Sequence, residues 1–314
     1  MWLIFKKLQQ KINPTVPLSQ GHNENNQTIN DKPVLGSVLA TATTASLKDG
    51  QYICKGINGS LNAILTVDGL DSYGSDGISY NFLSAIAKYL SAVIERSANI
   101  NNLNFKQIFD NIRNGFVKFI KSKREDEHLY GASVIILVET EKKIKIAYIG
   151  NGAIWHIRRK FNEFPAGYLF PWNAVNLLNP HIIQKEDKKK ELYKYISDKK
   201  DIGYTPAIIE IDKDTTQGDI FMICTGRIYS EEQHRTVRDP EGRRYLRYEN
   251  SMFVFFKELK SFFSEQQSYT NDKLEEMLKK YLETIKPDGD ASLGVLITKP
   301  AIDYHSRNTE MEKK

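Results

Sequence analysis

The sequence has little of what marks a secreted, zinc-binding or membrane-spanning protein. Its 314 residues include two cysteines, Cys54 and Cys224, and both fall in predicted strands, a position typical of buried free thiols in a reducing compartment. The six histidines are scattered, and no cysteine–histidine spacing fits zinc. The apolar opening, residues 2–5, is far too short for a signal peptide or a membrane span. We therefore expect a cytoplasmic protein without a membrane span.

The charge balance also argues against a nucleic-acid-binding protein. The net charge is +5, with 40% apolar and 26% charged residues, as in ordinary soluble globular proteins. Lysines cluster in 185–200 and arginines in 235–247, but acidic residues interleave both clusters. No aromatic motif for stacking bases accompanies them. We expect no nucleic-acid partner.

Composition divides the chain into a tail, one folded region and a second tail. Residues 1–33 begin as a short amphipathic piece and then become rich in Asn and Gln, so we expect a disordered tail. The folded domain is predicted over 34–299. Within it, 160–205 is irregular, with several prolines and a run of mixed charge, and we interpret it as a flap-like insertion. Its charged part is typical of a solvated helix face. Residues 300–314 are predicted to be a polar tail.

Hydrophobic periodicity predicts an α+β fold. Short apolar runs bounded by turn residues predict strands, and they come in two groups, each followed by helical patterns. The helix predicted over 104–121 has apolar residues at helical spacing, and the helix over 272–285 has Thr270 or Asn271 as its expected N-cap. Strict strand–helix alternation is missing. That pattern favours antiparallel sheets covered by helices over a doubly wound parallel sheet.

The candidate site begins at the stretch LNAILTVDG, residues 61–69. A buried strand is predicted to end at Asp68–Gly69, where a sheet meets solvent. Carboxylate oxygens at such an edge are ligands that Mg²⁺ and Mn²⁺ prefer. Asp–Gly is equally a common turn pair, so Asp68 gains a functional interpretation only from other residues around it.

Further motifs provide such residues, and their order resembles that of the metal-dependent Ser/Thr protein phosphatases of the 2C type. In that family a strand ends in Asp-Gly, later strands carry Gly-small-small and Gly-Asp-Ser, another ends in Cys-Ser-Asp-Gly, and the last is preceded by an aspartate. The matching positions here, over roughly 35 to 299, are Asp68–Gly69, Gly131–Ala132–Ser133, Gly150–Asn151–Gly152, Cys224–Thr225–Gly226–Arg227 and Asp290–Ala291.

The resemblance implies a fold, a cofactor and a partner. It implies a four-layer α-β-β-α sandwich in which two antiparallel sheets are flanked by helices. It also implies two Mg²⁺ or Mn²⁺ ions that activate a water for attack on a phosphorylated protein, and hence a protein kinase acting on the same partner. The implied metal ligands are Asp68, the carbonyl of Gly69, Asp290 and Asp49.

Other positions depart from the family pattern. Of the family's early acidic pair at most Asp49 is present, because the next residue is Gly50. Two further acids of the family pattern fall at Asn151 and Gly226, which carry no carboxylate. Candidate substitutes are Asp71 and Asp76. The phosphate-gripping arginine of the family would lie near residue 48, which is a lysine here.

Two functional hypotheses follow from this inventory. The first is a phosphatase-fold protein with a degenerate metal site, weakly active or non-catalytic, that serves as a regulatory module and holds one weakly bound ion or none. The second is an active, divergent Mg²⁺- or Mn²⁺-dependent Ser/Thr phosphatase. Arg243 and Arg244 are candidates for binding a phosphorylated partner by bidentate contacts.

Overall fold

The computed structural model describes most of the chain after residue 34, and all described residues belong to one compact unit, 33–314. They are 35–44, 49–55, 62–71, 89, 103–123, 130–161, 173–185, 190–197, 202–228, 234–238, 241–242, 244–248, 251–265, 268–287, 289 and 291–312. The predicted tail 1–33 therefore lies outside them.

Two antiparallel sheets form the centre of the fold. The five-stranded sheet has the order β1-β15-β12-β6-β7 and consists of Val38–Thr43, Ser292–Ile297, Asp219–Cys224, Ala153–Arg158 and Ala174–Asn176. The six-stranded sheet has the order β11-β5-β4-β3-β2, with β10 pairing β4 beside it. Its strands are Ala207–Asp212, Lys143–Ile149, Tyr130–Glu139, Asn62–Asp71, Asp49–Lys55 and Ile196–Ser197.

Four helices complete the described structure: α1 (Phe105–Lys123), α2 (Ser251–Glu265), α3 (Asn271–Ile285) and α4 (Lys299–Glu312). Helix α1 is capped by Asn104, whose Oδ1 accepts a hydrogen bond from the N–H of Gln107. Helix α3 is capped by the Thr270 side chain, one of the two caps expected from the sequence. The other, Asn271, instead accepts from the N–H of Leu39 in β1.

Three apolar clusters show how these elements are layered. One lies between α1 and strands β3, β4 and β5, and a second joins β1, β6, β12 and β15 to helices α2, α3 and α4. The third lies between the two sheets and includes Ile64, Leu137, Phe221 and Leu296. Alternate residues of one strand enter different clusters, as the pleat requires: Leu65 contacts the α1 side and Ile64 the other sheet. The predicted α+β, four-layer sandwich is confirmed.

One strand boundary differs from the prediction at the candidate site. Strand β3 does not end at Asp68–Gly69 but continues to Asp71, because β4 keeps pairing with it as far as Tyr130. Asp68 therefore lies inside a paired strand. The Asp–Gly pair makes no turn there.

The region 160–205 contains strands rather than a helix in its described parts. Strands β8 (Ile182–Gln184) and β9 (Lys190–Leu192) form a two-stranded sheet. The expectation of a solvated helix face over the charged segment is wrong for these residues. Cross-strand pairing overrides the local preference of a lysine-rich segment for helix.

Two further elements bear on the sequence-based expectations. Strands β13 (His234–Arg238) and β14 (Arg244–Tyr248) form a separate hairpin. Residues 300–314, expected to be a polar tail, are helical as far as residue 312: helix α4 begins at Lys299 and buries Ala301, Ile302 and His305. Three apolar or aromatic contacts within two turns are enough to dock an otherwise polar helix. In the described part of the chain, no helix is long and apolar enough to cross a membrane.

Candidate functional site

Two aspartates lie opposite each other at one end of the six-stranded sheet. Asp68 in β3 pairs with Asp49 in β2 on one side and with Ser133 in β4 on the other. The next pairs along β3 are Val67 with Gly50 and Gly69 with Ala132. The register thus brings the two acids predicted at the start of the metal site into direct cross-strand positions. Asp68 is half-buried.

The turn between β5 and β6 packs closely against Ser133, the residue that pairs with Asp68. Gly150 has φ +95°, and a Cβ there would lie 2.2 Å from the Ser133 Oγ. Gly152 has φ +137°, and its Cβ would lie 2.5 Å from the Cys224 carbonyl oxygen. Only glycine fits at either position. The turn therefore has a fixed place between β4 and the end of β12, with Asn151 as the one side chain at its centre.

The amide of Asn151 is held so that its amino group faces the next loop. The Oδ1 atom accepts from the N–H of Gly152 at 2.8 Å, and the backbone N–H of Asn151 donates to the Ser133 Oγ at 3.1 Å. Because a backbone N–H can only donate, the amide atom that faces it must be the oxygen, which fixes the orientation of the group. The Nδ2 atom then lies 2.8 Å from the position that a Cβ of residue 226 would take.

His181 contacts the same turn from the side, and no sequence motif predicted this role. The ring Nδ1 of His181 accepts from the N–H of Gly150 at 3.0 Å, and the backbone N–H of His181 donates to the Gly150 carbonyl at 3.0 Å. The ring stacks on Tyr148, with centroids 5.4 Å apart. Burial, with a smaller contribution from the charge of Lys194, lowers the pKa of His181 to about 4. The ring is therefore neutral near pH 7, and Nδ1 keeps the lone pair that accepts.

Hydroxyl groups tie together the three strand ends on the other sheet. Ser292 accepts at its carbonyl from the N–H of Thr225 and donates its own N–H to the Thr225 Oγ1 at 3.1 Å. The Thr43 Oγ1 donates to the Ala291 carbonyl at 3.0 Å and lies 3.0 Å from the Ser292 Oγ. Ala291 also donates its N–H to the Thr44 Oγ1 at 2.9 Å. This network fixes the backbone that precedes β15.

Gly226 and Arg227 form a short turn at the end of β12, closed by a 3.2 Å hydrogen bond from the N–H of Ile228 to the Thr225 carbonyl. Arg227 is exposed, and its Nε lies 3.8 Å from the position of a Cβ at Gly289. Its guanidinium thus lies beside Gly289. Within the described residues Arg227 makes no ion pair.

The structure brings most of the predicted site positions together. Contacts run from Asp49 through Asp68, Ser133 and Asn151 to Gly226. Asp71 lies three residues further along β3, opposite Tyr130, and Arg244 lies in the β13–β14 hairpin opposite Arg238. The remaining predicted positions, Asp76, Arg243 and Asp290, are outside the described residues.

The donor set at one side of this site does not fit a divalent cation. Gly226 has no side chain, and the single amide oxygen of Asn151 is already used by the N–H of Gly152. What faces the gap is an amino group, which can only donate. Among the residues that the structure describes, no group of three or more His, Cys, Asp or Glu side chains is arranged to hold a metal.

Cys224, at the end of β12, has no visible role in chemistry. It is a free thiol, fully buried, and burial raises its pKa to about 12. A thiol that stays protonated is a poor nucleophile. The sequence-based interpretation as a core cysteine is confirmed.

Comparisons with solved structures identify the fold. The S. agalactiae serine/threonine phosphatase superimposes with a TM-score of 0.57 at 9% identity, covering 84% of this chain and 100% of that one. Serine/threonine phosphatase Stp1 from Staphylococcus aureus gives 0.55 at 11% identity, over 88% and 99% of the two chains. A C. elegans sex determining protein gives 0.58 at 10% identity, over 97% and 72%.

These likenesses concern the fold. The sequence matches no protein-family model and no curated protein. The resemblance to metal-dependent Ser/Thr phosphatases is thus confirmed as a shared fold, and the activity has to be argued from the site.

Proposed function

We propose that this chain is a phosphatase-fold protein with a degenerate metal site, a weakly active or non-catalytic regulatory module in protein-phosphorylation signalling. Its partner is a phosphorylated protein or the kinase that acts on it. The observation that carries the proposal is the pairing of Asn151 with Gly226, two positions at which the family pattern has acids and this chain has none free to bind a cation.

The missing acids matter because they would offset the repulsion between two metal ions. Two doubly charged ions about 4 Å apart repel by roughly 17 kcal/mol at an effective dielectric of about 20. Four carboxylates neutralise such a pair, whereas Asp49 and Asp68 with one further acid leave it positively charged. The site then holds one Mg²⁺ or Mn²⁺ weakly, or none, and the two-metal activation of water is lost.

The alternative is an active, divergent Mg²⁺- or Mn²⁺-dependent Ser/Thr phosphatase. The cross-strand placement of Asp49 opposite Asp68 favours it, because Mg²⁺ is commonly bound through one or two carboxylates. In this alternative Asp68 and Asp290 are the retained ligands, and Asp71, Asp76 or Asp49 completes the ligand set.

Hydrolysis of a small aryl phosphate, titrated with Mn²⁺, separates the two. We expect no Mn²⁺-dependent turnover from the folded wild-type protein. Turnover that rises with Mn²⁺ and disappears in Asp68→Ala, with both proteins folded by circular dichroism, would contradict the proposal and establish the alternative.

A second experiment tests the partner. Arg243→Ala and Arg244→Ala are expected to weaken binding of a phosphopeptide, as loss of bidentate arginine contacts does. Unchanged binding would remove these arginines from the proposed interface. The cytoplasmic location that we propose rests on the sequence, whose two cysteines are typical of free thiols in a reducing compartment.

A further inference from the structure

Strand β11 lies at one end of the six-stranded sheet, and no described strand pairs with its outer side, which we call the open edge. On the inner side it pairs with β5 in an unbroken register, from Ala207 opposite Tyr148 to Asp212 opposite Lys143. It contains neither a proline nor a bulge, two of the devices that protect edge strands from pairing with another chain. A regular strand of six residues can accept a further strand along such an edge.

The hydrogen-bond pattern shows which backbone groups face the open edge. The N–H of Lys213 donates at 3.0 Å to the carbonyl of the residue before β5, so the pair just beyond the strand is hydrogen-bonded. Such pairs alternate with non-hydrogen-bonded ones in an antiparallel ladder, which leaves the N–H and C=O groups of Ile208, Glu210 and Asp212 on the outer side. The Asp212 carbonyl accepts from the Arg158 Nη2. In the described part of the chain, the backbone groups of Ile208 and Glu210 have no protein partner on that side.

The acidic side chains of β11 do not cover the open edge. The Glu210 carboxylate lies 3.2 Å from the Lys143 Nζ and 3.4 Å from the Lys145 Nζ, and the Asp212 carboxylate lies 3.9 Å from the Lys143 Nζ. Both lysines belong to β5, so the carboxylates are drawn over their own sheet and away from the open side. The lysines also offset the negative charge, which reduces the repulsion that an approaching copy of this strand would meet.

Apolar side chains are exposed at the same flank of the molecule. Ile208 is 51% exposed on the outer face of β11, and Ile209 is half-buried on the face towards the other sheet. In that other sheet, Val175 of the edge strand β7 is 52% exposed. The two edges lie on one flank, because Arg158 of β6, the strand next to β7, reaches the Asp212 carbonyl. Adjoining exposed apolar residues are typical of an interaction surface.

From these observations we propose that β11 pairs with β11 of a second copy of this chain and joins the two six-stranded sheets across a two-fold axis. Strands related in this way are antiparallel, and they form hydrogen bonds only between residues whose backbone groups face outward. The register with Ile209 on the axis meets this condition. Ile208 of each copy then faces Glu210 of the other, and each such pair exchanges both N–H···O=C bonds.

Side-chain chemistry favours this register over its neighbours. It sets Ile209 against Ile209 and Ala207 against Ile211 on the face towards the other sheet, so that the row is apolar throughout. A shift by two residues in one direction would set Glu210 directly against Glu210 of the second copy, which is destabilising. A shift in the other direction would bring Pro206 into the ladder, and proline has no N–H to donate.

Sedimentation equilibrium of the full chain from about 1 μM to 1 mM, the range of weak complexes, tests the pairing. The contact is small, so we expect a dimer that forms only at the upper end of this range. A chain that stays monomeric throughout would overturn the inference and leave the open edge to a strand from a different protein.

Two substitutions of Ile208 test the register at one exposed position. Ile208→Glu places a carboxylate against Glu210 of the second copy and should weaken the dimer about tenfold, because the two-fold axis makes the repulsive pair occur twice. Ile208→Lys places a cation there and should strengthen the dimer several-fold. Both variants keep every backbone group of β11. Weakening by both would indicate association through exposed apolar surface without strand pairing, and would overturn the inference.

A substitution of Glu210 tests the backbone bonds themselves. Glu210→Pro removes an N–H that faces the open edge and makes no bond with β5, a position at which edge strands tolerate proline. We expect it to weaken the dimer at least about tenfold, as loss of a hydrogen bond that occurs twice does. Glu210→Ala removes the same side chain but keeps the N–H, and as the matched control it should dimerise as the wild type does. A dimer that Glu210→Pro leaves unchanged would contradict pairing through β11.

Discussion

The Asn151 amide faces the α-carbon of Gly226, with Nδ2 2.8 Å from the place where a side chain would begin. The pairing of β6 with β12, which sets Ala153 opposite Cys224, brings these distant residues together. Two losses of an acid thus meet at one point of the fold. Restoring both acids there is the direct way to ask whether the rest of the site can still hold a metal.

We expect the double variant Asn151→Asp/Gly226→Asp to bind Mn²⁺ more tightly than the wild type does. The new carboxylates join Asp68 and supply the anionic oxygens that Mn²⁺ prefers. At about a hundred times its dissociation constant, the metal would stabilise the variant by about 2.7 kcal/mol, which thermal unfolding with and without Mn²⁺ can measure.

Gly115→Asp is the control for this experiment, because it adds a carboxylate in α1 where nothing lies within 4 Å of the new Cβ. It should show no metal-dependent shift. Equal shifts in the control and the double variant would mean that the added charge, rather than the site, attracts the ion.

Gly150→Ala is predicted to destabilise the protein by about 3 kcal/mol or more, since it combines a positive φ with a clash in a packed turn. The added Cβ would lie 2.2 Å from the Ser133 Oγ and 2.6 Å from its Cβ. Urea unfolding gives the change in free energy. Gly115→Ala, in an open helical position, should instead stabilise by about 0.5–1 kcal/mol. A tolerated Gly150→Ala would show that the turn can move away from β4.

The fold was accessible from the sequence because strand and helix periodicities are local. Apolar alternation along β3 and the helical spacing along α1 record which face is buried. The positions of Asp68, Asn151 and Gly226 came from the order of short motifs on those strands. The end of β3 was misplaced because its last residues pair with β4, and pairing does not depend on the Asp–Gly signal.

The residues that hold the site in place could not be predicted from motifs or periodicity. His181 contacts Gly150 from a segment without any motif, and the bonds among Thr43, Thr225 and Ser292 join three strands far apart in the chain. Such contacts depend on the tertiary arrangement alone. Arg227 lay within a recognised motif, yet its exposure beside Gly289 needed the structure.

Replacement of Lys213 by Met is predicted to cost about 3–5 kcal/mol, because it leaves a buried charge without its partner. The Lys213 Nζ donates to the Glu139 Oε1 at 2.6 Å, with side-chain exposures of 8% and 0%. Lys143→Met is the matched control, since its 3.2 Å pair with Glu210 is 44% and 45% exposed, and a pair of this kind contributes about 0–1 kcal/mol. Similar losses in the two variants would show that the Glu139 pair is solvated.

The stability of the fold is predicted to fall as the pH drops from about 6.5 to 4, and His181 is one cause. Burial, and then the charge of Lys194, lowers the pKa of His181 to about 4, and burial lowers that of His305 to about 4. In this range the unfolded chain binds protons at both rings while the folded chain does not, so each ring removes at most about 1.4 kcal/mol of stability per pH unit. Well above pH 6.5, where both rings are neutral in the folded and the unfolded chain, neither contributes a slope.

Acidic side chains contribute to the pH dependence below about pH 5, where carboxylates of the unfolded chain begin to bind protons. Asp214, for example, accepts hydrogen bonds from the backbone of Gln217 and from Thr216, which outweigh its burial and lower its pKa to about 2, so its contribution is lost below the ordinary carboxyl range. The interval between about pH 5 and 6.5 therefore reports mainly on the histidines. Urea unfolding at several pH values across it gives the slope.

His181→Asn tests the assignment, because the Asn Oδ1 takes the place of Nδ1 as an acceptor for Gly150 but does not titrate. We expect the variant to lose the part of the pH slope of unfolding free energy that protonation of one group contributes, and to keep the part due to His305. An unchanged slope would mean that His181 is protonated in the folded state at pH 5 or above. The ring could then no longer accept from Gly150, and the turn that aims Asn151 would have to be held by Ser133 alone.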